Sequence, residues 1–263
     1  MKNRNRLFIF AIAVIFVCCV FVEAQEDKSE ENPVNEVQIN YSTESLTRNL
    51  GTWRTASLYL QRKLKNRQTI WANYRVGERN GTRDQEFLVG TYKQLPKRWA
   101  VSGEVMFSPT SKYVGKYSLN GEVEKGFRNG IVGHFGVRHT KFTTVKATTA
   151  YGIGEKYWGN NRAAYTLYVT KLTNAGTSPT HRFSYNRYFG EKSNTFGIAA
   201  SVGREHESLG PTLGVLKSKT WSISFSEKHW ITDKIGINVD ATIHRQGTSY
   251  YRRGLNFGFR YRF

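Results

Sequence analysis

The sequence is poor in cysteine, proline, methionine and long apolar stretches, and each shortage narrows the kinds of protein it can encode. Two cysteines occur, Cys18 and Cys19, and both lie in a short apolar stretch near the amino end. The chain beyond them can form neither a disulfide framework nor a cysteine-ligated metal site. Five prolines, two methionines and 24 glycines favour strands and tight turns over helices. A mean hydropathy of −0.54 argues against a helical membrane protein.

The one long apolar run, from 7 to 22, has the layout of a secretory signal. Three cations precede it: Lys2, Arg4 and Arg6. Small residues, Val22 and Ala24, stand before a polar segment, which predicts a signal peptide over 1–24 with cleavage before Gln25. An uncleaved anchor helix is the alternative. The run is short for that role, because a helical span takes about 20 apolar residues.

The segment directly after the predicted cut differs from the rest of the chain. Residues 25–34 are acidic and polar, with too little apolar surface to fold, and we expect a short disordered periplasmic lead-in. The remainder is basic. The formal net charge is +19, and removing the signal's three cations and one carboxylate leaves +17.

From residue 35 onward, apolar and polar residues alternate in segments of roughly ten residues separated by turn residues. In one segment Trp221, Ile223 and Phe225 alternate with serines, and the segments 235–244 and 255–263 alternate in the same way. A strand places such sets on opposite faces. Because no helix is predicted that could cover the apolar face, that face is expected to contact lipid.

The alternation predicts an all-β fold, a closed antiparallel transmembrane β-barrel over 35–263. Fourteen strands are expected, and twelve are the alternative; an even number suits a bacterial single-chain barrel with both ends in the periplasm. The predicted strands are 35–44, 53–63, 68–77, 84–94, 98–108, 113–126, 131–140, 143–155, 162–172, 181–190, 194–204, 218–228, 234–245 and 250–263. Strand spacing and tilt give such a barrel a backbone radius of roughly 14 Å.

The predicted connections differ in length at the two ends. Short ones follow strands two, four and six, at 64–66, 95–97 and 128–130, whereas 205–217 is predicted to be a long outer loop. Aromatic rings, which favour the depth of the lipid headgroups, are concentrated near predicted strand ends. They are Trp99, Phe127, Tyr157, Trp158, Phe189 and Trp230.

The last strand carries the most specific pattern in the chain. It alternates aromatic residues and closes on Arg260, Tyr261, Arg262 and Phe263. This ending resembles the assembly signal of outer-membrane proteins, which implies the barrel assembly machinery as a partner through the Phe263 strand. The layout over 35–263, with this ending, also resembles the YaiO-like outer-membrane barrel family. That resemblance implies an outer-membrane barrel with a link to surface polysaccharide, and it implies no site residues.

Charged residues on the polar parity of the strands are candidates to line the lumen, because a charge facing hydrocarbon would cost about 2–4 kcal/mol near the midplane. The charged candidates are Arg75, Glu104, Glu122, Glu124, Arg138, Asp240, Arg260 and Arg262. Three rings share that parity and could stack on sugars: Trp71, Tyr92 and Tyr168. The alternative is a lumen filled by ion pairs and rings that only maintain its shape.

Basic residues also gather at the predicted outer ends of the strands. They are Arg79, Arg83, Lys112, Lys141, Lys171, Arg182, Arg204, Lys217, Lys219, Arg245, Arg252 and Arg253. Cations at this depth can pair with lipid phosphates, so outer-membrane lipid and lipopolysaccharide are the expected partners. A solvated rim is the alternative. The predicted secretion and the barrel pattern argue against nucleic-acid binding.

Signals for an enzyme are weak. His134 and His244 have inner parity, but no recurring serine–histidine spacing accompanies them. His139, His181 and His206 are predicted to lie in loops, and a sixth histidine, at 229, in a turn. No metal or cofactor is predicted. The leading hypothesis is a passive channel for a hydrophilic solute, such as a saccharide; the alternatives are an enzyme acting on outer-leaflet lipid and a structural or adhesive barrel with a closed lumen.

Overall fold

The computed structural model describes residues 35–173, 176–190, 194–208 and 215–263, without the side chains of 205–208 and 215–217. The predicted signal peptide and lead-in lie outside these ranges. Among the described residues, no helix is long and apolar enough to cross a membrane. The strands are β1 (Asn35–Leu46), β2 (Thr52–Leu64), β3 (Gln68–Arg79), β4 (Thr82–Leu95), β5 (Trp99–Phe107), β6 (Tyr117–Gly126), β7 (Ile131–Lys141), β8 (Lys146–Trp158), β9 (Asn161–Leu172), β10 (Gly176–Phe189), β11 (Asn194–Ser208), β12 (Val215–Trp230), β13 (Ile235–Gln246) and β14 (Tyr250–Arg262).

The fourteen strands form one closed antiparallel barrel in which every strand pairs with its neighbours in sequence and β1 pairs with β14. The closure joins the two ends of the described chain. The backbone N–H of Phe263 donates to the carbonyl of Asn35 at 3.0 Å, and the reverse bond is 3.2 Å long. Closure leaves no unpaired sheet edge, which a lipid environment requires. The prediction of a fourteen-stranded barrel is confirmed, and the alternative of twelve is wrong.

The two faces of the wall differ in chemistry. Large apolar side chains occupy one parity and remain exposed; Phe183 and Leu255 each leave 61% of their surface uncovered. Cross-strand register places Tyr41, Phe257 and Val239 on this same face. An apolar band of this extent is stable against hydrocarbon and not against water. We call it the outward face, and the opposite parity the inner face.

The two ends of the barrel are defined by the connections. Asn35, Phe263 and the turns at 65–67, 96–98, 127–130, 159–160 and 231–234 lie at one end, where β10 also ends, and we call it the periplasmic end. The other is the outer end. Its tightest connection is the two-residue turn Asn80–Gly81, whose φ angles of 50° and 75° are both left-handed. Asparagine followed by glycine favours this turn, whose twist matches that of the paired strands.

The predicted loop at 205–217 is wrong. Strand β11 continues to Ser208 and β12 begins at Val215, and the two stay paired there, while 209–214 lie outside the described residues. The longest connection is instead 108–116, because β6 begins at Tyr117 and not at 113. Beyond the lipid, a paired hairpin needs no apolar face, so its residues lose the alternation by which strands are recognised.

The histidines predicted in loops are also in strands. His139 lies in β7, His181 in β10 and His206 in β11, while His229 lies in β12 rather than in a turn. Register places His139 and His181 on the outward face, beside Leu119 and Tyr165 respectively. A single polar residue near a strand end therefore does not mark a turn in this barrel.

Candidate functional site

Bulky groups on the inner face lie along the wall instead of pointing across the lumen. The ring of Trp71 covers Gly90 of the next strand, and the ring of Tyr151 covers Gly136; a Cβ atom at either glycine would overlap the ring. The amide of Asn238 covers Gly258 in the same way. These glycines thus hold large side chains against the wall and away from the barrel axis.

Four charged residues form a continuous row across β6 to β9, which we call the ladder. The Nδ1 atom of His134 lies 2.9 Å from a carboxylate oxygen of Glu122, and its Nε2 atom lies 3.6 Å from Glu155. Glu155 also forms an ion pair with Arg162. Because the two carboxylates alternate with His134 and Arg162, each of these buried or half-buried groups has a neighbour that offsets part of its desolvation cost.

Tyrosines extend the ladder. The hydroxyl of Tyr151 donates to Glu122 at 2.8 Å, and the hydroxyl of Tyr92 donates to Glu124 at 3.3 Å. These bonds orient both carboxylates along the wall. The network spans β4 to β9, and fixes the polar surface of one side of the lumen.

A pocket of about 260 Å³ opens in the inner wall beside the ladder. We call it the wall pocket. The rings of Tyr151 and Tyr168 pack with their centroids 5.8 Å apart and their planes at 43°. Arg138 is exposed, and no carboxylate of the described ranges pairs with it. The pocket is lined by Asn120, Glu122, Arg138, Thr149, Tyr151, Ile153 and Tyr168.

A compact cluster occupies the periplasmic end of the inner face. Glu36 lies 2.6 Å from a guanidinium nitrogen of Arg260 and 3.2 Å from one of Arg262. Both guanidinium groups lie over the ring of Trp230, at 4.4 Å and 3.6 Å from its centroid. Trp230 is only 3% exposed. Cation–π contacts and the shared carboxylate therefore hold the two arginines against the wall.

The connection 108–116, which we call the long loop, is held at the outer end by a buried carboxylate. Asp84 is 1% exposed and accepts backbone N–H bonds from Lys112, Tyr113 and Val114 at 2.7–3.1 Å. Arg79 lies 4.7 Å from the centroid of the Tyr113 ring. Burial raises the pKa of the Tyr113 hydroxyl to about 12. The loop is thus fixed to the inner wall of β4.

Cross-strand register places all the sequence-derived candidates on one face. Arg75 forms an ion pair with Glu86, and the amide of Asn256 donates to Asp240 at 2.7 Å. Glu104 lies opposite Asn120. That any of them contacts a solute stays a prediction. They are Arg75, Glu104, Glu122, Glu124, Arg138, Asp240, Arg260, Arg262, Trp71, Tyr92 and Tyr168.

The structure also uses residues that sequence reasoning missed. Glu36 pairs with two arginines at the far end of the chain, which only closure of the barrel reveals. Tyr151 and Glu155 lie on the inner parity of β8, where Ile153 stands between them. Ile153 is apolar on the inner parity, and the glycines on either side of it occupy the outward parity, so β8 lacks the usual alternation of apolar and polar residues in its sequence. Counting parity from Thr149 would have found both.

A closed barrel with an apolar exterior and a charged, hydrogen-bonded interior defines an outer-membrane protein. The protein is therefore located in the cell outer membrane. The family model for the YaiO membrane beta barrel domain matches residues 34–208, and the chain belongs to this family. A search of curated protein sequences finds no match.

Solved structures share the fold at low sequence identity. One described as a bacterial polysaccharide outer membrane secretin superposes with a TM-score of 0.53 at 10% identity, covering 87% of this chain and 98% of that one. OmpT of Vibrio cholerae superposes with a TM-score of 0.52 at 9% sequence identity, and the match covers 90% of this chain and 100% of that one. Omp33 of Acinetobacter baumannii superposes with a TM-score of 0.50 at 10% sequence identity, and the match covers 87% of this chain and 99% of that one. At such identities the likeness establishes the architecture alone.

Proposed function

We propose that the barrel is a passive channel for a hydrophilic solute and that a saccharide binds at the wall pocket on its way through. The wall pocket carries the proposal. It combines an aromatic pair, a cation without a carboxylate partner and hydrogen-bonding side chains on a wall whose bulky groups lie flat. The name of one structural neighbour, which mentions polysaccharide, agrees with this choice of solute.

The chemistry of the pocket suits a sugar. Tyr151 is buried against Gly136, whereas Tyr168 is half-buried and offers ring surface to the lumen. The faces of pyranose rings carry C–H groups that pack on aromatic rings, while their hydroxyls need donors and acceptors around the rim. Arg138 supplies donors, and Asn120 and Glu122 supply acceptors held in place by the Tyr151 hydroxyl.

The charges of the inner face favour a solute without large net charge. Among the described residues of the inner face, four exposed cations lack a carboxylate partner: Lys63, Arg138, Arg182 and Lys228. Five described carboxylates of the same face lack a lysine or arginine partner: Asp84, Glu104, Glu122, Glu124 and Asp240. Because the two sets differ by one charge only, the lumen should discriminate weakly between anions and cations.

Sugar block of the conductance tests the proposal. A linear oligosaccharide should interrupt the current of the refolded barrel, and Tyr168→Ala should weaken that block about three- to tenfold, the effect of losing one aromatic contact. Tyr165→Ala is the matched control, since it removes the same side chain from the outward face of the same strand. Equal effects of both variants, or a current that no sugar interrupts, would reject the saccharide site.

A further inference from the structure

The outward face at the outer end of β11 to β14 carries four cations, which we call the basic row: Arg204, Lys219, Arg245 and Arg253. Arg204 stands directly opposite Lys219 in the register of β11 and β12. Arg245 stands opposite Trp221 on the next strand. The row continues to Arg253 on β14, so four adjacent strands each present one cation near their outer ends.

The basic row has no carboxylate partner among the described residues. Like charges directly opposite each other destabilise a strand pair. Arg204, Lys219 and Arg253 are exposed, and no described carboxylate forms an ion pair with any member of the row. The carboxylate that these strands carry on their outward face, Glu227, lies toward the periplasmic end of β12. Within the described part of the chain, the row therefore has no balancing charge.

On the outward face at the outer end of β2 to β4, charged residues of opposite sign stand beside each other. On β2 to β4, Arg54 stands opposite Glu78, which stands opposite Arg83. All three side chains are exposed. Their signs alternate, as they would on a rim that only meets water. The basic row is thus a local feature of β11 to β14 and not a property of the whole rim.

The depth of the basic row identifies the partner. Trp221 and Tyr251 pack edge to face at 6.2 Å, and Arg245 lies 5.2 Å from the centroid of the Tyr251 ring. Toward the middle of the barrel follow Ile243 and Leu255, both exposed and apolar. An aromatic belt marks the level of the headgroups. Arg204 and Lys219 lie on its outer side, Arg245 is level with both rings, and Arg253 lies one pair closer to the middle, opposite Ile243. The basic row therefore spans the depth of the outer-leaflet headgroups.

We infer that the basic row binds the phosphate groups of an anionic glycolipid in the outer leaflet. Arginine grips phosphate oxygens through two parallel N–H bonds, and lysine adds a point charge. The lipid's acyl chains would extend along the apolar side chains below the row, and its phosphates would separate Arg204 from Lys219. This site is independent of the lumen and of the proposed channel.

Binding of bisphosphorylated lipid A to the refolded barrel in zwitterionic phosphatidylcholine vesicles tests the inference. The double variant Lys219→Gln/Arg253→Gln should weaken binding about thirtyfold, since each basic residue near a lipid surface contributes roughly 1 kcal/mol. The matched control, Arg54→Gln/Arg83→Gln, removes the same charge from the compensated rim and should change binding less than about threefold. A charge-preserving double variant, Lys219→Arg/Arg253→Lys, should bind like the unaltered protein.

Two further arms separate the possible outcomes. Lipid A stripped of both phosphates should bind no better to the unaltered protein than to the glutamine double variant. Soluble pyrophosphate should compete only weakly, because it has no acyl chains to contact the apolar band. An equal loss of lipid A binding in Lys219→Gln/Arg253→Gln and in Arg54→Gln/Arg83→Gln would overturn the inference. So would equal binding of the stripped lipid, or pyrophosphate binding as tight as that of lipid A.

Discussion

The buried carboxylate of Asp84 should control whether the long loop stays on the inner wall. Its three charge-assisted bonds to the loop backbone contribute roughly 4–9 kcal/mol in total. Ordering the three bonded residues opposes this with roughly 3–6 kcal/mol. The carboxylate thus holds the loop by about 2 kcal/mol, and Asp84→Ala should raise the population of the released loop about thirtyfold.

Limited proteolysis measures that population. Trypsin cleavage after Lys112, which is exposed but lies in a fixed backbone, should accelerate about thirtyfold in Asp84→Ala because cleavage follows the open population. Asp84→Asn keeps one accepting oxygen, so its cleavage rate should lie between those of the unaltered protein and Asp84→Ala. Asp240→Ala is the control, since Asp240 accepts from the Asn256 side chain and not from a loop. Unchanged cleavage in Asp84→Ala would show that this carboxylate does not hold the long loop on the wall.

Three other perturbations test separate parts of the structure. Phe257→Arg should lower the unfolding free energy of the inserted barrel by about 2–4 kcal/mol, whereas Asn256→Arg on the inner face should have a much smaller effect; equal losses would contradict the assignment of faces. Replacing Glu104 and Glu124 together by glutamine should shift the reversal potential toward anion selectivity, and a shift toward cations would reverse the proposed balance of charges. Burial favours the neutral form of the Tyr113 hydroxyl. Tyr113 should therefore stabilise the long loop fully below pH 10, the ordinary pKa of the hydroxyl, and this stabilisation should be lost as the pH rises through about 12. The tyrosinate absorbance lost in Tyr113→Phe should therefore have its midpoint near 12, and a midpoint near 10 would show an unburied side chain.

The sequence alone predicts the barrel because period-two alternation is local. The segment ending in Phe263 alternates so strictly that its two faces can be assigned without a structure. The same reasoning fails where a strand leaves the lipid. Residues 205–208 and 215–217 are paired in β11 and β12, yet their sequence does not alternate apolar and polar residues.

The candidate site depends on relations that alternation does not encode. Glu36 reaches Arg260 only because β1 closes on β14, and Asp84 reaches the long loop only through its folded path. Parity did place Glu122, Arg138 and Tyr168 on the inner face, but their meeting in one pocket follows from the stagger between strands. Faces are therefore predictable from sequence, whereas partners across strands require the register.

Single-channel recording of the refolded barrel in a planar bilayer tests the central claim most directly, that the lumen is a water-filled path with a saccharide site in its wall. A water-filled lumen with such a site should give discrete conductance steps of weak ion selectivity, interrupted in a concentration-dependent manner by a linear oligosaccharide. Insertion should be verified in the same preparation by protection of the strands from protease. An inserted barrel that passes no current at any applied potential would contradict the account and favour a structural barrel with a closed lumen.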